Sequence, residues 1–225
     1  PRPMTEPCDL SALEARRLIG RKALSPVELM DSCLKRIGAV NHAVNAMVAM
    51  DEGAARAGAK AAEDAVMQGA PLGLLHGLPV GIKDLEEVGG LRTTYGSPIF
   101  RDFVPEADCM MVANLRDAGA VVIGKTNTPE FGAGANTRNS VYGVTGNPFD
   151  QSKSAAGSSG GSGVALACGM APICSAISLV AAAVRLASCL TSDATPAKPL
   201  PASPARAASM VAFSASRLVC SAMPL

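Results

Sequence analysis

Lys83 closes an apolar run, Leu78-Pro-Val-Gly-Ile-Lys83-Asp84. Two adjacent serines, Ser158 and Ser159, sit in the glycine-rich stretch Ala156-Gly-Ser-Ser-Gly-Gly-Ser162. Together these residue types could perform acyl chemistry. A serine hydroxyl is a poor nucleophile until a base takes its proton, and lysine is a base only where its charge is disfavoured. Burial among Val80, Ile82 and Leu85 would lower the amine's pKa in that way. Glycine admits positive φ, so a turn built on it can hold a hydroxyl at an angle that regular structure forbids. Each feature also has a plainer reading. Gly/Ser runs are most often flexible linkers. A lysine among apolar neighbours most often snorkels to water or pairs with a nearby carboxylate, here Asp84 or Glu86.

Other chemistries find less support. His42 and His76 are the only histidines, which removes most Ser-His and zinc arrangements. The seven cysteines are scattered without metal-ligand spacing, and their odd number without CxxC points to a reducing compartment. A formal net charge of +1 gives no electrostatic case for direct nucleic-acid binding. Gly119-Ala-Val-Val-Ile-Gly124-Lys125-Thr126 matches the P-loop expression, but its β-branched residues lie between the glycines and a proline follows at 129. A strand there cannot also wrap a phosphate, so nucleotide binding is rejected. Glu87, Asp102, Asp108 and Glu130 read as isolated, solvated or capping carboxylates.

The elements around these residues follow from capping and periodicity. Asp9 is expected to cap a helix over 10–19 that stops at Gly20. Ser25-Pro-Val-Glu28 is a capping box opening a second helix, with Val27, Met30, Leu34 and Ile37 at helical spacing. A short strand is expected over 46–50, then an alanine-rich helix capped by Asp51 and ending near Gly69. After Pro71, apolar strands over 78–84 and 120–123 flank a helix over 107–118, and 124–147 reads as loop. Helix alternating with apolar strand gives an α/β core. Three regions result: a helical 1–70, an α/β core 71–173 and an Ala/Ser/Pro-rich tail 174–225. All 22 glycines lie at or before Gly169, so the tail lacks the usual turn-formers of a sheet fold. The apolar segment 174–190 carries Arg185 and is short for a membrane span. Met4 reads as the start, no signal peptide is evident, and a soluble cytoplasmic protein is expected.

Four ordered segments resemble the amidase signature family. Gly77-Leu-Pro-Val-Gly-Ile-Lys83-Asp84 looks like its lysine strand, and Gly124-Lys-Thr-Asn-Thr-Pro-Glu-Phe-Gly132 like its next signature. Asn139-Ser-Val-Tyr-Gly-Val-Thr-Gly-Asn-Pro-Phe149 resembles the approach to the serine loop, and Gly157-Ser-Ser-Gly-Gly-Ser162 that loop itself, followed by a small-residue helix over 163–169. The resemblance spans about 9–173. It implies the N-terminal part of the amidase-signature fold, a mixed sheet covered by helices, here incomplete. It implies cleavage of a carboxylic amide through a Ser-Ser-Lys triad and an acyl-enzyme, without metal or organic cofactor. Lys83 would be the neutral base and Ser158 the bridging serine in a cis peptide geometry. Ser159 would help hold the lysine, with Gly157 and Gly160 supporting the turn. The partner is expected to be a small-molecule amide. A homodimer, or a partner subunit of the amidotransferase kind, is a further possibility.

The family's nucleophile motif, a Gly-Ser/Thr-Asp-x-Gly-Gly-Ser pattern, is missing. In its place stands Ser175-Ala-Ile-Ser-Leu-Val-Ala-Ala-Ala183, with Ala182 about where the serine belongs. Ser175 and Ser178 are available hydroxyls without the glycine backbone of an oxyanion hole, and no nucleophile is assigned. A change of reading frame between 173 and 177 is the expected cause. The chain is therefore expected to be inactive. Its alternatives are a glutaminase resembling the A subunit of a tRNA-dependent amidotransferase, or a non-catalytic truncated product.

Overall fold

A computed structural model describes residues 6–175. After a short 3-10 turn at Pro7–Asp9 comes helix α1, Ala12–Gly20. Its N-cap is Ser11, whose hydroxyl accepts the Glu14 N–H, and not the expected Asp9. Asp9 lies inside the preceding turn, where it ion-pairs with Arg36 at 3.0 Å. Helix α2, Pro26–Val44, opens on the complete Ser25/Glu28 capping box and ends at Asn45 in the left-handed conformation. Strand β1 is Met47–Ala49. Helix α3, Glu52–Gln68, is capped by Asp51 and closed by Gly69 at φ +73.

Strand β2, Pro79–Lys83, is buried at every position. Helix α4 is Met110–Asp117, three residues shorter at its start than the sequence pattern suggests. The reason is that 108–109 are held elsewhere. Asp108 accepts the Gly89 N–H and ion-pairs with Arg116, and the Cys109 N–H bonds to the Glu87 carbonyl. Strand β3, Val121–Thr126, runs three residues past the expected Ile123 because Gly124, Lys125 and Thr126 continue its pairing with β2. That extended run also explains why the P-loop match fails. Two short antiparallel pairs follow: β4 (Arg138–Asn139) with β5 (Gly143–Val144), and β6 (Gly146–Asn147) with β7 (Asp150–Ser154). Helix α5, Gly160–Ala167, and strand β8, Ile173–Cys174, complete the described chain.

The main sheet has the order β1-β3-β2-β8, with β1 antiparallel to β3 and the other neighbours parallel. It is a mixed sheet with helices on both sides. The larger apolar core joins α1, α2, α3 and α5 to Val121 and Ile123 of β3, while the smaller joins Val80, Ile82 and Val122 to Val112 of α4. Among the described residues no helix is long and apolar enough to cross a membrane.

One irregularity decides what the sheet presents at its C-terminal ends. Val80 pairs with Val122, but Gly81 pairs with Gly124, so Ile123 is an extra residue in β3. A bulge of this kind shifts the two-residue alternation by one step. Val121 and Ile123 face the larger core, yet Lys125 pairs with Ile82 and so shares the opposite face. Thr126 pairs with Lys83 on the face that α5 covers.

Candidate active site

Lys83 and Asp84 are consecutive residues at the end of an extended strand, so their side chains leave on opposite faces. This excludes the simple pairing of Lys83 with its neighbour. On one face the Lys83 amine donates to Ser158 Oγ at 2.8 Å and to Ser159 Oγ at 3.0 Å. Lys83 is 8% exposed. Burial pushes its pKa below the ordinary lysine value, and the Glu86 carboxylate partly opposes that effect. Desolvation of this kind favours the uncharged amine. Among the described residues its hydrogen-bond partners are two neutral hydroxyls and no carboxylate.

The serine turn is clamped, not a linker. The Gly157 N–H donates to the Ala135 carbonyl at 2.6 Å, and Gly157 takes φ +81, a conformation that glycine alone adopts without strain. Thr137 serves both sides of the turn, since its hydroxyl donates to the Gly157 carbonyl at 2.9 Å and accepts the Gly160 N–H at 3.0 Å. The Thr128 hydroxyl holds the Ser158 carbonyl at 3.0 Å. Ser159 occupies the N-cap position of α5, yet its hydroxyl caps nothing in the helix, being turned to Lys83. A side chain at Gly161 would strike the backbone of Asn127, so this glycine lets α5 lie directly on the end of β3. Ser162, further along α5, bonds Thr126 at 2.7 Å and fixes the helix to the Lys83 face. Lys83, Gly157, Ser158, Ser159 and Gly160 are therefore brought together. The expected cis geometry is corrected: there is no cis peptide bond among the described residues, and the hydrogen bonds on Gly157 and Ser158 orient the turn instead.

On the other face lies a group that the sequence pattern did not reveal. Lys125 and Asp84 are each 0% exposed, with Nζ and Oδ1 3.6 Å apart. The Lys125 amine also donates to the Glu86 carbonyl and to Thr93 Oγ1, at 2.9 Å for the latter. Asp84 accepts from the Thr94 hydroxyl at 2.6 Å and from its N–H. Burial drives Lys125 down to about 8, against the pull of Asp84, and raises the Asp84 carboxyl. This network ties the turn leaving Lys83 to the segment 93–94. The one available signal is a second lysine ending an apolar run, and the P-loop match obscures it.

Ser175 is fully buried, and its hydroxyl accepts the backbone N–H of Lys83 at 2.9 Å. It ends the β2–β8 ladder with a side chain where a carbonyl would otherwise serve. Ser178 and Ala182 lie outside the described residues. Of the carboxylates, Asp102 is exposed, but Glu87 and Glu130 are bonded within the fold, accepting from Tyr95 at 2.5 Å and from Ser97 at 2.7 Å.

The family model described as Amidase matches residues 28–177. The A subunit of the glutamyl-tRNA(Gln) amidotransferase of Roseiflexus castenholzii is 42% identical over 169 residues, covering 75% of this chain and 34% of the relative. A crystal structure of an amidase superposes with a TM-score of 0.67 at 38% identity, over 72% of this chain and 37% of the other. A bacterial aryl acylamidase of the amidase signature enzymes family gives 0.68 at 32% identity, over 72% and 34%. The chain spans about a third of the length of the curated relatives it matches.

Proposed function

The chain belongs to the amidase family, and from that premise we propose that it carries the base half of an amide-hydrolysing site. In this reading the Lys83 amine, kept neutral by burial, takes the proton of Ser158, which passes the demand on to a nucleophilic serine. Ser159 holds the amine in place, and Gly157 and Gly160 shape the turn. The nucleophile would attack the carbonyl of a small-molecule carboxamide, the amine would leave with the proton held by Lys83, and water would release the acyl group. The single supporting observation is the 2.8 Å contact between a buried lysine amine and a serine hydroxyl on a clamped glycine turn.

Of the other serines near Lys83, Ser162 and Ser175 are fully buried and already bonded, so neither is assigned as that nucleophile. The chain as written is accordingly proposed to be inactive on amides, since losing the nucleophile costs orders of magnitude even where binding survives. A neighbouring frame over 177–183 could spell Asp-Leu-x-Gly-Gly-Ser with suitable codons. The test is the coding DNA together with a repaired chain: amide hydrolysis by the repaired chain, abolished by Lys83→Met, supports the reading. A second reading, a glutaminase component of an amidotransferase, is favoured by the names of its relatives. Glutamine-dependent ammonia release in the presence of a stable partner protein would distinguish it. The third is a non-catalytic truncated product. A cytoplasmic setting is proposed on the cysteines, none of which forms a disulfide among the described residues.

A further inference from the structure

Among the described residues four serine hydroxyls lie near the Lys83 strand end, and they are not equally available. Ser175 is fully buried and accepts the Lys83 N–H, while Ser162 is fully buried and bonded to Thr126. Ser158 and Ser159 are half-buried, and both meet the amine. The Ser159 carbonyl accepts the Gly163 N–H, so its backbone already belongs to the first turn of α5. Ser158 is on the loop side, makes the shorter contact with Nζ, and has its carbonyl fixed by Thr128.

We propose that Ser158 and Lys83 form a self-sufficient Ser-Lys dyad in this chain, with Ser158 as the terminal nucleophile toward aryl esters. This goes beyond the relay role and rests on the same neutral Lys83. Ser158 Oγ forms a bond to the acyl carbon as its proton moves to the Lys83 amine. The bond from that carbon to the aryloxide oxygen breaks, and the aryloxide carries away the electron pair. The proton on Lys83 then passes to the aryloxide or to water, so that an ester and an alcohol give a Ser158 ester and a phenol. Aryl esters suit the site because an aryloxide leaves without prior protonation, whereas an amine must be protonated as it departs. No third serine is needed.

The test treats the 225-residue chain with p-nitrophenyl acetate and locates the acetyl group by intact mass and peptide mapping. Acetyl is expected on Ser158, forming about a hundredfold faster than on the Lys83→Met variant. It is expected to be lost in Ser158→Ala, with circular dichroism confirming that both variants are folded. Acetyl on Ser159, on Lys83 as a stable amide, or only on surface lysines overturns the proposal. A parallel pH titration of the Lys83 amine separates the two levels. An ordinary lysine titration would remove the neutral base itself, whereas a lowered one with Ser158 unmodified would remove only the dyad.

Discussion

Lys83 and Lys125 lie near the C-terminal ends of adjacent parallel strands, yet they face opposite sides of the sheet, and the extra residue Ile123 is what separates them. Among the described residues, the amine of one meets neutral hydroxyls alone, while that of the other meets a carboxylate. Without the bulge, Lys125 would share the face of Val121 and Ile123, in the larger core, and Asp84 would be left buried without its cation. The partition places two nearby lysines, both shifted below the ordinary value by burial, in different electrostatic surroundings.

Breaking the Asp84–Lys125 pair tests that partition. Lys125→Met is expected to lower unfolding free energy by about 3–5 kcal/mol at pH 7, because it strands a buried carboxylate. Asp84→Asn combined with Lys125→Met should recover part of the loss. Urea titrations of the three chains measure both effects, and equal stability of the single and double variants would contradict the pairing.

The same pair predicts a pH dependence. Lys125 is pushed down to about 8 in the fold, against about 10.4 in an unfolded chain. Between those values the unfolded state binds more protons, so this group's contribution to stability rises with pH across that window. The stability difference between the unaltered chain and Lys125→Met should therefore widen from pH 8 to pH 10 in urea titrations.

Gly161→Ala addresses the seating of the serine turn. The added carbon would meet the Asn127 backbone, which cannot rotate away as a side chain would. A loss of about 1–3 kcal/mol is expected from the overpacking. The urea midpoint measures it, and an unchanged midpoint would mean that α5 does not lie on the end of β3.

Ser175→Ala removes the acceptor for the Lys83 N–H in a fully buried setting. A loss of about 1–3 kcal/mol is expected from the orphaned donor. Because that hydroxyl is occupied and buried, a fluorophosphonate probe should leave Ser175 unlabelled, as read by peptide mapping.

The legible part of this molecule was local. Ser25 and Glu28, Asp51 and Gly69 mark helix ends through chemistry between near neighbours, and all four act as their types suggest. Asp9 misled because Ser11, two residues on, competes for the same cap. Lys83, Ser158 and Ser159 were found through an ordered set of segments, but the distance joining them depends on α5 being pinned by Ser162 to Thr126. Lys125 was hidden because a bulge leaves no mark in composition or period. Its facing follows from the register between β2 and β3, which no residue in β3 announces by itself.

The central claim is that burial next to Ser158 disfavours the charge on the Lys83 amine, and competitive acetylation measures this most directly. Trace acetic anhydride is applied to the folded chain across a pH range spanning the ordinary lysine value of about 10.4, and the Lys83 peptide is compared with that of exposed Lys22. The account predicts that Lys83 titrates below that ordinary value and that the shift disappears in urea. Superimposable titrations of Lys83 and Lys22 in the folded chain would contradict it.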